Sequence, residues 1–117
     1  MFDDDRCWSL LAASSLGRVA LSVRALPVIV PVRYTVEGSA LRLEPAVWPG
    51  IDDGRLLSVV AFQADGFDVG SDRVWSVHAV GRIDALPASA SPSSSATLEI
   101  RPSHLEGRWL NFASLAP

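Results

Sequence analysis

Apolar and polar residues alternate with a period of two along most of the chain, the pattern of half-buried strands. Over residues 18–25, Val19, Leu21 and Val23 alternate with Ala20, Ser22 and Arg24. Over 28–36, Val28, Val30, Val32, Tyr34 and Val36 share one face, and Ile29, Arg33 and Thr35 the other. Ala25-Leu26 ahead of Pro27 leaves room only for a tight connection, so these two strands form a predicted hairpin. Glu37-Gly38-Ser39 supplies a second turn, and Leu41 and Leu43 alternate with Arg42 and Glu44 in a third antiparallel strand, a meander. A fourth strand is predicted over 58–64, with the apolar run Val59, Val60, Ala61 and Phe62. A fifth spans 74–86, where Trp75, Val77, Ala79 and Ile83 oppose Ser76, His78, Arg82 and Asp84, and Gly81 marks a bulge or kink. A sixth covers 96–101, and 107–111 forms a short seventh. Between them, 45–54 is irregular, 65–72 is turn-rich, and 87–95 holds only Pro, Ala and Ser and reads as a flexible loop.

One segment departs from that period. Over residues 3–13, Phe2, Cys7, Leu10 and Leu11 fall at helical spacing, the carboxylates of Asp3, Asp4 and Asp5 suit a helix start, and Gly17 is the expected stop. Six main strands, short turns and one helix predict a mostly β fold, a small antiparallel barrel in a single domain over 1–117. There is too little helix for βαβ units.

Composition narrows the function classes. The chain has 117 residues, of which 49% are apolar and 20% charged, an apolar excess that implies contact with a partner subunit or ligand. A net charge of −3 and a pI near 5.2 argue against nucleic acid. One Cys excludes an intramolecular disulfide and any multi-Cys metal site. The richest apolar stretch, 19–36, is broken by Arg24, Pro27, Pro31 and Arg33, so no membrane span is expected. Asp3 to Asp5 stand where a signal peptide would carry basic residues, which favours a cytoplasmic setting.

The chain has no phosphate loop, dinucleotide fingerprint, zinc-protease pair or nucleophile elbow. His78 lies on the polar face of the fifth strand, either as a proton donor or ligand-facing group or simply as a half-exposed strand histidine. His104 follows Pro102 and is expected in a solvated turn. Cys7, on the apolar stripe of the helix, reads as inert packing. Asp52-Asp53 reads as a solvated pair, because neighbouring residues seldom aim at one target. Trp48 and Trp75 serve either packing or the wall of a pocket.

Four segments together resemble the pyridoxamine 5′-phosphate oxidase-like, flavin-binding split-barrel proteins, in particular their short bacterial branch. Cys7-Trp8-Ser9-Leu10-Leu11 with Leu16-Gly17-Arg18-Val19-Ala20 is similar to the family's opening helix and first strand. Pro27-Val28-Ile29-Val30-Pro31-Val32-Arg33-Tyr34 is similar to its P-x-V-x-P-V-N-Y strand. Val59-Val60-Ala61-Phe62 and Trp75-Ser76-Val77-His78-Ala79-Val80-Gly81-Arg82 resemble its V-A-F and G-W-S-V-x-V-x-G-R segments. Ile100-Arg101-Pro102 with Gly107-Arg108 resembles its close. The resemblance implies a six-stranded antiparallel split β-barrel with one short N-terminal helix. It also implies a homodimer with FMN, or a related deazaflavin, between subunits; charge and the broken apolar stretch already argue against nucleic acid and membrane as partners.

The same resemblance puts Pro31, Val32, Arg33 and Tyr34 along the flavin ring, with Trp75 and Ser76 nearby. Where the family carries Arg, Thr and Lys for the FMN phosphate, this chain has Glu44, Pro45 and Asp52. Arg33 and Arg55 are the nearby cations left to meet a phosphate, while Arg42 is expected to point away with the face opposite Leu43. Two readings stay open. One is a flavin-binding protein, as an oxidoreductase acting on a small molecule; the other is a non-enzymatic barrel dimer that has lost the phosphate site and binds another ligand or partner.

Overall fold

The computed structural model describes residues 1–23, 25–44, 59–68, 70–85 and 97–110. Helix α1 (Asp4–Ala12) starts where the Asp3 carboxylate accepts the Arg6 N–H at 2.8 Å, with Asp4 and Asp5 complementing the dipole in the first turn. It stops at Ala13, ahead of the Gly17 expected to end it. Gly17 instead belongs to the first strand, packed so tightly under the Phe62 ring that any Cβ there would collide with it.

Among the described residues six strands follow: β1 (Leu16–Val23), β2 (Leu26–Glu37), β3 (Ala40–Leu43), β4 (Val59–Phe67), β5 (Val74–Ala85) and β6 (Leu98–Leu110). They are antiparallel and close into a barrel in the order β1-β2-β3-β6-β5-β4. The expected hairpin pairs Val23 with Leu26 and Leu16 with Arg33, and Ala25 takes the left-handed φ of 67° at its turn. Two seams are narrow. Among the described residues, only Arg18–Ala20 of β1 pairs with Ala61–Gln63 of β4, and only Leu41–Leu43 of β3 with Leu98–Ile100 of β6. The ring is thus two three-stranded sheets joined along short edges, a split barrel.

Two further sequence expectations are corrected. β4 runs on to Phe67, through residues expected in a turn, because Asp65, Gly66 and Phe67 pair with Ser76, Trp75 and Val74. The sixth and seventh strands are one strand, β6, and His104 lies inside it rather than in a turn. Pro102 does not end it because it sits opposite Gly81, where the β5–β6 register shifts. A bulge tolerates a residue without an N–H. Gly81 is the kink foreseen, and a side chain there would strike the Arg101 carbonyl.

The inward positions of the alternation build the core: Val19, Val32, Tyr34, Leu41, Leu43, Phe62, Val77, Ala79, Leu98 and Ile100 are buried. Each large apolar side chain withdrawn from water contributes about 1.5–3 kcal/mol. α1 lies over β2, β5 and β6, with Cys7 and Leu11 buried beneath it. No helix among the described residues is long and apolar enough to cross a membrane. Arg24, Trp48, Asp53 and the 87–95 segment lie outside the described residues, as do Pro45, Asp52 and Arg55.

Candidate functional site

The outward positions of β1, β4, β5 and β6 form rows across the barrel wall, because side chains at paired residues stand side by side on one face. One row runs Pro31, Arg18, Gln63, His78, Glu106 through four successive pairings. The next row on the same wall carries Asp65, Ser76 and Arg108, and the one beyond it Phe67, Val74 and Leu110. With strands spaced by about 4.8 Å, the step from Arg18 to Glu106 covers about 14 Å.

The middle of this wall is a connected hydrogen-bond network. Arg18 Nη2 donates to Asp65 Oδ2 at 2.7 Å, and the Ser76 hydroxyl donates to Asp65 Oδ1 at 3.2 Å while accepting from Gln63 Nε2 at 3.0 Å. Ser76 is only 6% exposed, so its oxygen is held in one orientation by groups that satisfy it. At one end Phe67 projects, 77% exposed, beside an open depression of about 450 Å³ lined by Gln63, Asp65, Gly66, Phe67, Val74 and Leu110. At the other end His78 Nε2 and His104 Nε2 both meet Glu106 Oε2, at 3.1 and 3.3 Å. The hydrogen bond from His104 holds the Glu106 carboxyl below its ordinary range. Both imidazoles and Arg108 add to this effect, and partial desolvation opposes it.

The residues expected along a ligand divide between the two sides of the wall. Pro31, Arg33 and Ser76 face outward; Val32, Tyr34 and Trp75 face the core. Tyr34 is 2% exposed, donates its hydroxyl to the Leu11 carbonyl at 2.7 Å and packs edge-on against Phe62 at 4.9 Å. Burial raises its pKa above 10.0, against a lowering contribution from Ser14. The Trp75 ring fills the space a side chain at Gly66 would need, 2.6 Å from that Cβ position. Within one chain these six residues therefore do not line a single cavity. Arg33 is exposed and makes no ion pair among the described residues, and its carbonyl accepts the Glu44 N–H at 3.0 Å. Arg42 points away from Leu43, as expected, and pairs with Glu99 at 3.3 Å. Cys7 is buried, and burial followed by the fields of Asp4, Asp3 and Glu106 pushes its thiol above 9.0, so it is a packing group and not a nucleophile.

Gln63, Asp65 and Glu106 escaped the sequence reading. The apolar run that marks 58–64 carries no signal for the first two, which reach the wall only through the pairing of β4 with β1 and β5. Glu106 was hidden by Pro102, which made one long strand look like two short ones.

A model of the pyridoxamine 5′-phosphate oxidase family matches residues 3–113. No curated protein matches the sequence. Among solved structures, the FAD-binding protein from Mycobacterium smegmatis is 24% identical with a TM-score of 0.76, over 94% of this chain and 96% of that one. A FAD-binding protein from Mesorhizobium loti is 20% identical with a TM-score of 0.79, over 92% and 93% of the two chains. A FAD and heme binding protein from M. smegmatis is 15% identical with a TM-score of 0.74, over 92% of this chain and 71% of that one. At these identities the structural likeness speaks for the fold.

Proposed function

The chain belongs to the pyridoxamine 5′-phosphate oxidase family, and on that premise we propose that it binds a flavin nucleotide, FMN in the first instance, against the outer wall of its barrel. The observation that carries this reading is the outward network of Arg18, Asp65, Ser76 and Gln63, which lies between Pro31 on one side and the apolar row Phe67, Val74 and Leu110 on the other. A flavin ring has the matching division, an apolar benzenoid edge and a polar edge of hydrogen-bonding atoms. The residues present therefore fit the ring. For the phosphate they offer Arg33, exposed and unpaired among the described residues, while the Arg18 charge is committed to Asp65.

Bound flavin would supply electron or hydride transfer, and the protein would supply binding and orientation. Ser76 is oriented by its two partners before any ligand arrives, so little ordering is left to do on binding. Asp65 accepts from both Ser76 and the Arg18 guanidinium, which fixes it beside the wall. The apolar row offers one end of the wall a surface for the benzenoid edge. Leu16, Leu26, Ile29 and Val59 stand outward, 60%, 68%, 68% and 62% exposed. They support pairing with a second copy of this chain, with the flavin at the shared boundary, and the activity that follows is redox exchange with a small molecule.

Titration of the purified protein with FMN and with FAD, read by flavin fluorescence, tests the proposal. Saturable binding is expected, and Arg33→Ala should weaken the FMN complex by about 1.5–3 kcal/mol, the value of a charge-assisted contact. Failure of a folded dimer to bind either flavin would favour the barrel that has lost its phosphate site, a reading supported by Glu44 next to Arg33.

A further inference from the structure

We propose that His78, His104 and Glu106 form a binding site for a divalent transition-metal ion, with zinc the ion whose chemistry suits them. The site is independent of the flavin reading and uses none of the residues assigned to it.

The fold itself assembles the three. His104 and Glu106 are two apart on β6, so both project from the same face. His78 is the direct cross-strand partner of Glu106 in the β5–β6 ladder, and His104 pairs with the adjoining Val80. Three side chains on rigid antiparallel strands thus converge without any loop. The bulge between Val80 and Gly81 lies immediately beside them.

The donor atoms are spaced for a metal. One carboxylate oxygen, Glu106 Oε2, lies 3.1 Å from His78 Nε2 and 3.3 Å from His104 Nε2. All three ligand atoms fall within 4.8 Å of one another. Zinc bonds of about 2.0–2.1 Å to nitrogen and oxygen in a tetrahedron put neighbouring ligand atoms about 3.3–3.4 Å apart. Two edges of that tetrahedron are close to present, and the third, between the imidazole nitrogens, is no longer than 4.8 Å, with the exposed His104 free to adjust. Its side chain is 60% exposed, against 34% for His78 and 26% for Glu106.

The ligand chemistry points the same way. Two neutral imidazoles and one carboxylate are borderline nitrogen and oxygen donors, which suit zinc and its neighbours rather than magnesium or calcium. Without a metal, two imidazoles compete for one acceptor oxygen and their rings stand 6.1 Å apart. A cation between them would satisfy all three groups at once. Three protein ligands on a solvent-facing wall leave a fourth position for water or an exogenous ligand, the arrangement of an open zinc site.

The experiment is calorimetric titration of tag-free, chelator-treated protein with Zn²⁺, paralleled by the visible absorption of Co²⁺ as a geometry probe. One ion per chain is expected, with a tetrahedral Co²⁺ spectrum. His78→Ala, His104→Ala and Glu106→Gln should each weaken Zn²⁺ binding by about tenfold or more, and the triple variant should abolish it. All three side chains face solvent, and unchanged far-UV circular dichroism would confirm that the variants fold. Absence of Zn²⁺ binding by the unmodified protein, or undiminished binding by the folded triple variant, would overturn the assignment.

Discussion

The Tyr34 hydroxyl on β2 donates to the main-chain carbonyl of Leu11 in the last turn of α1, across 2.7 Å. This bond ties the helix to the barrel at a point where both residues are buried. The same carbonyl also accepts the Ser14 N–H at 3.2 Å, and the Tyr34 N–H in turn bonds the Ser15 carbonyl at 3.0 Å. The turn between helix and β1 is therefore held against β2 from both sides.

Tyr34→Phe should cost about 0.5–1.5 kcal/mol, at the modest end for a buried bond because Ser14 keeps the Leu11 carbonyl partnered. Urea denaturation at neutral pH checks this. A loss well above that range would mean that the hydroxyl carries more than its bond to α1.

Tyr34 and Cys7 both have pKa values raised above 10.0 and 9.0, chiefly by burial. A raised folded-state pKa means that the folded protein holds the proton more tightly than the unfolded chain. Stability from these groups is therefore complete below the unfolded values and falls as pH rises from about 9 through 10 toward the folded values. Denaturation midpoints measured across the alkaline range should decline, and Tyr34→Phe should flatten the upper part of that decline.

Gly17→Ala should destabilise by about 1–3 kcal/mol, because the added methyl meets the Phe62 ring and also lies 2.9 Å from the Gln63 carbonyl oxygen. Phe62→Leu in the same chain should recover part of that loss and not all of it, since the backbone contact remains. Strict additivity in the double variant would rule out the collision as the cause.

Glu99 is 4% exposed and paired with Arg42 at 3.3 Å and Arg101 at 2.8 Å. Removing either arginine leaves the other, so each single Ala variant should cost about 1 kcal/mol or less. Removing both strands a buried carboxylate and should cost about 3 kcal/mol or more. Thermal melts of the two single variants and the double variant read this coupling directly.

Ser76→Ala separates the site from the fold. Stability should fall by about 1 kcal/mol as Asp65 and Gln63 lose their shared partner. Flavin affinity, measured by the titration above, should fall severalfold if the outer wall is the binding surface.

The pattern of apolar and polar residues was enough to determine that the chain is mostly β with one helix, and which side chains face inward. Val19, Val32, Tyr34, Leu43 and Val77 are buried where alternation put them, and Gly81 is the irregularity it marked. Alternation is a local property, imposed by the pleat of each strand. Which strands become neighbours is not local. Pro102 looked like a strand end until its place opposite Gly81 made it part of a bulge, and only then did His104 and Glu106 join His78. Asp65 likewise entered the network with Arg18 and Ser76 only once β1, β4 and β5 were aligned. Register between strands distant in sequence is selected by closing the barrel over a shared core, where a one-residue slip would turn every apolar side chain outward. That selection, made by tertiary packing, brought the polar groups of the wall together.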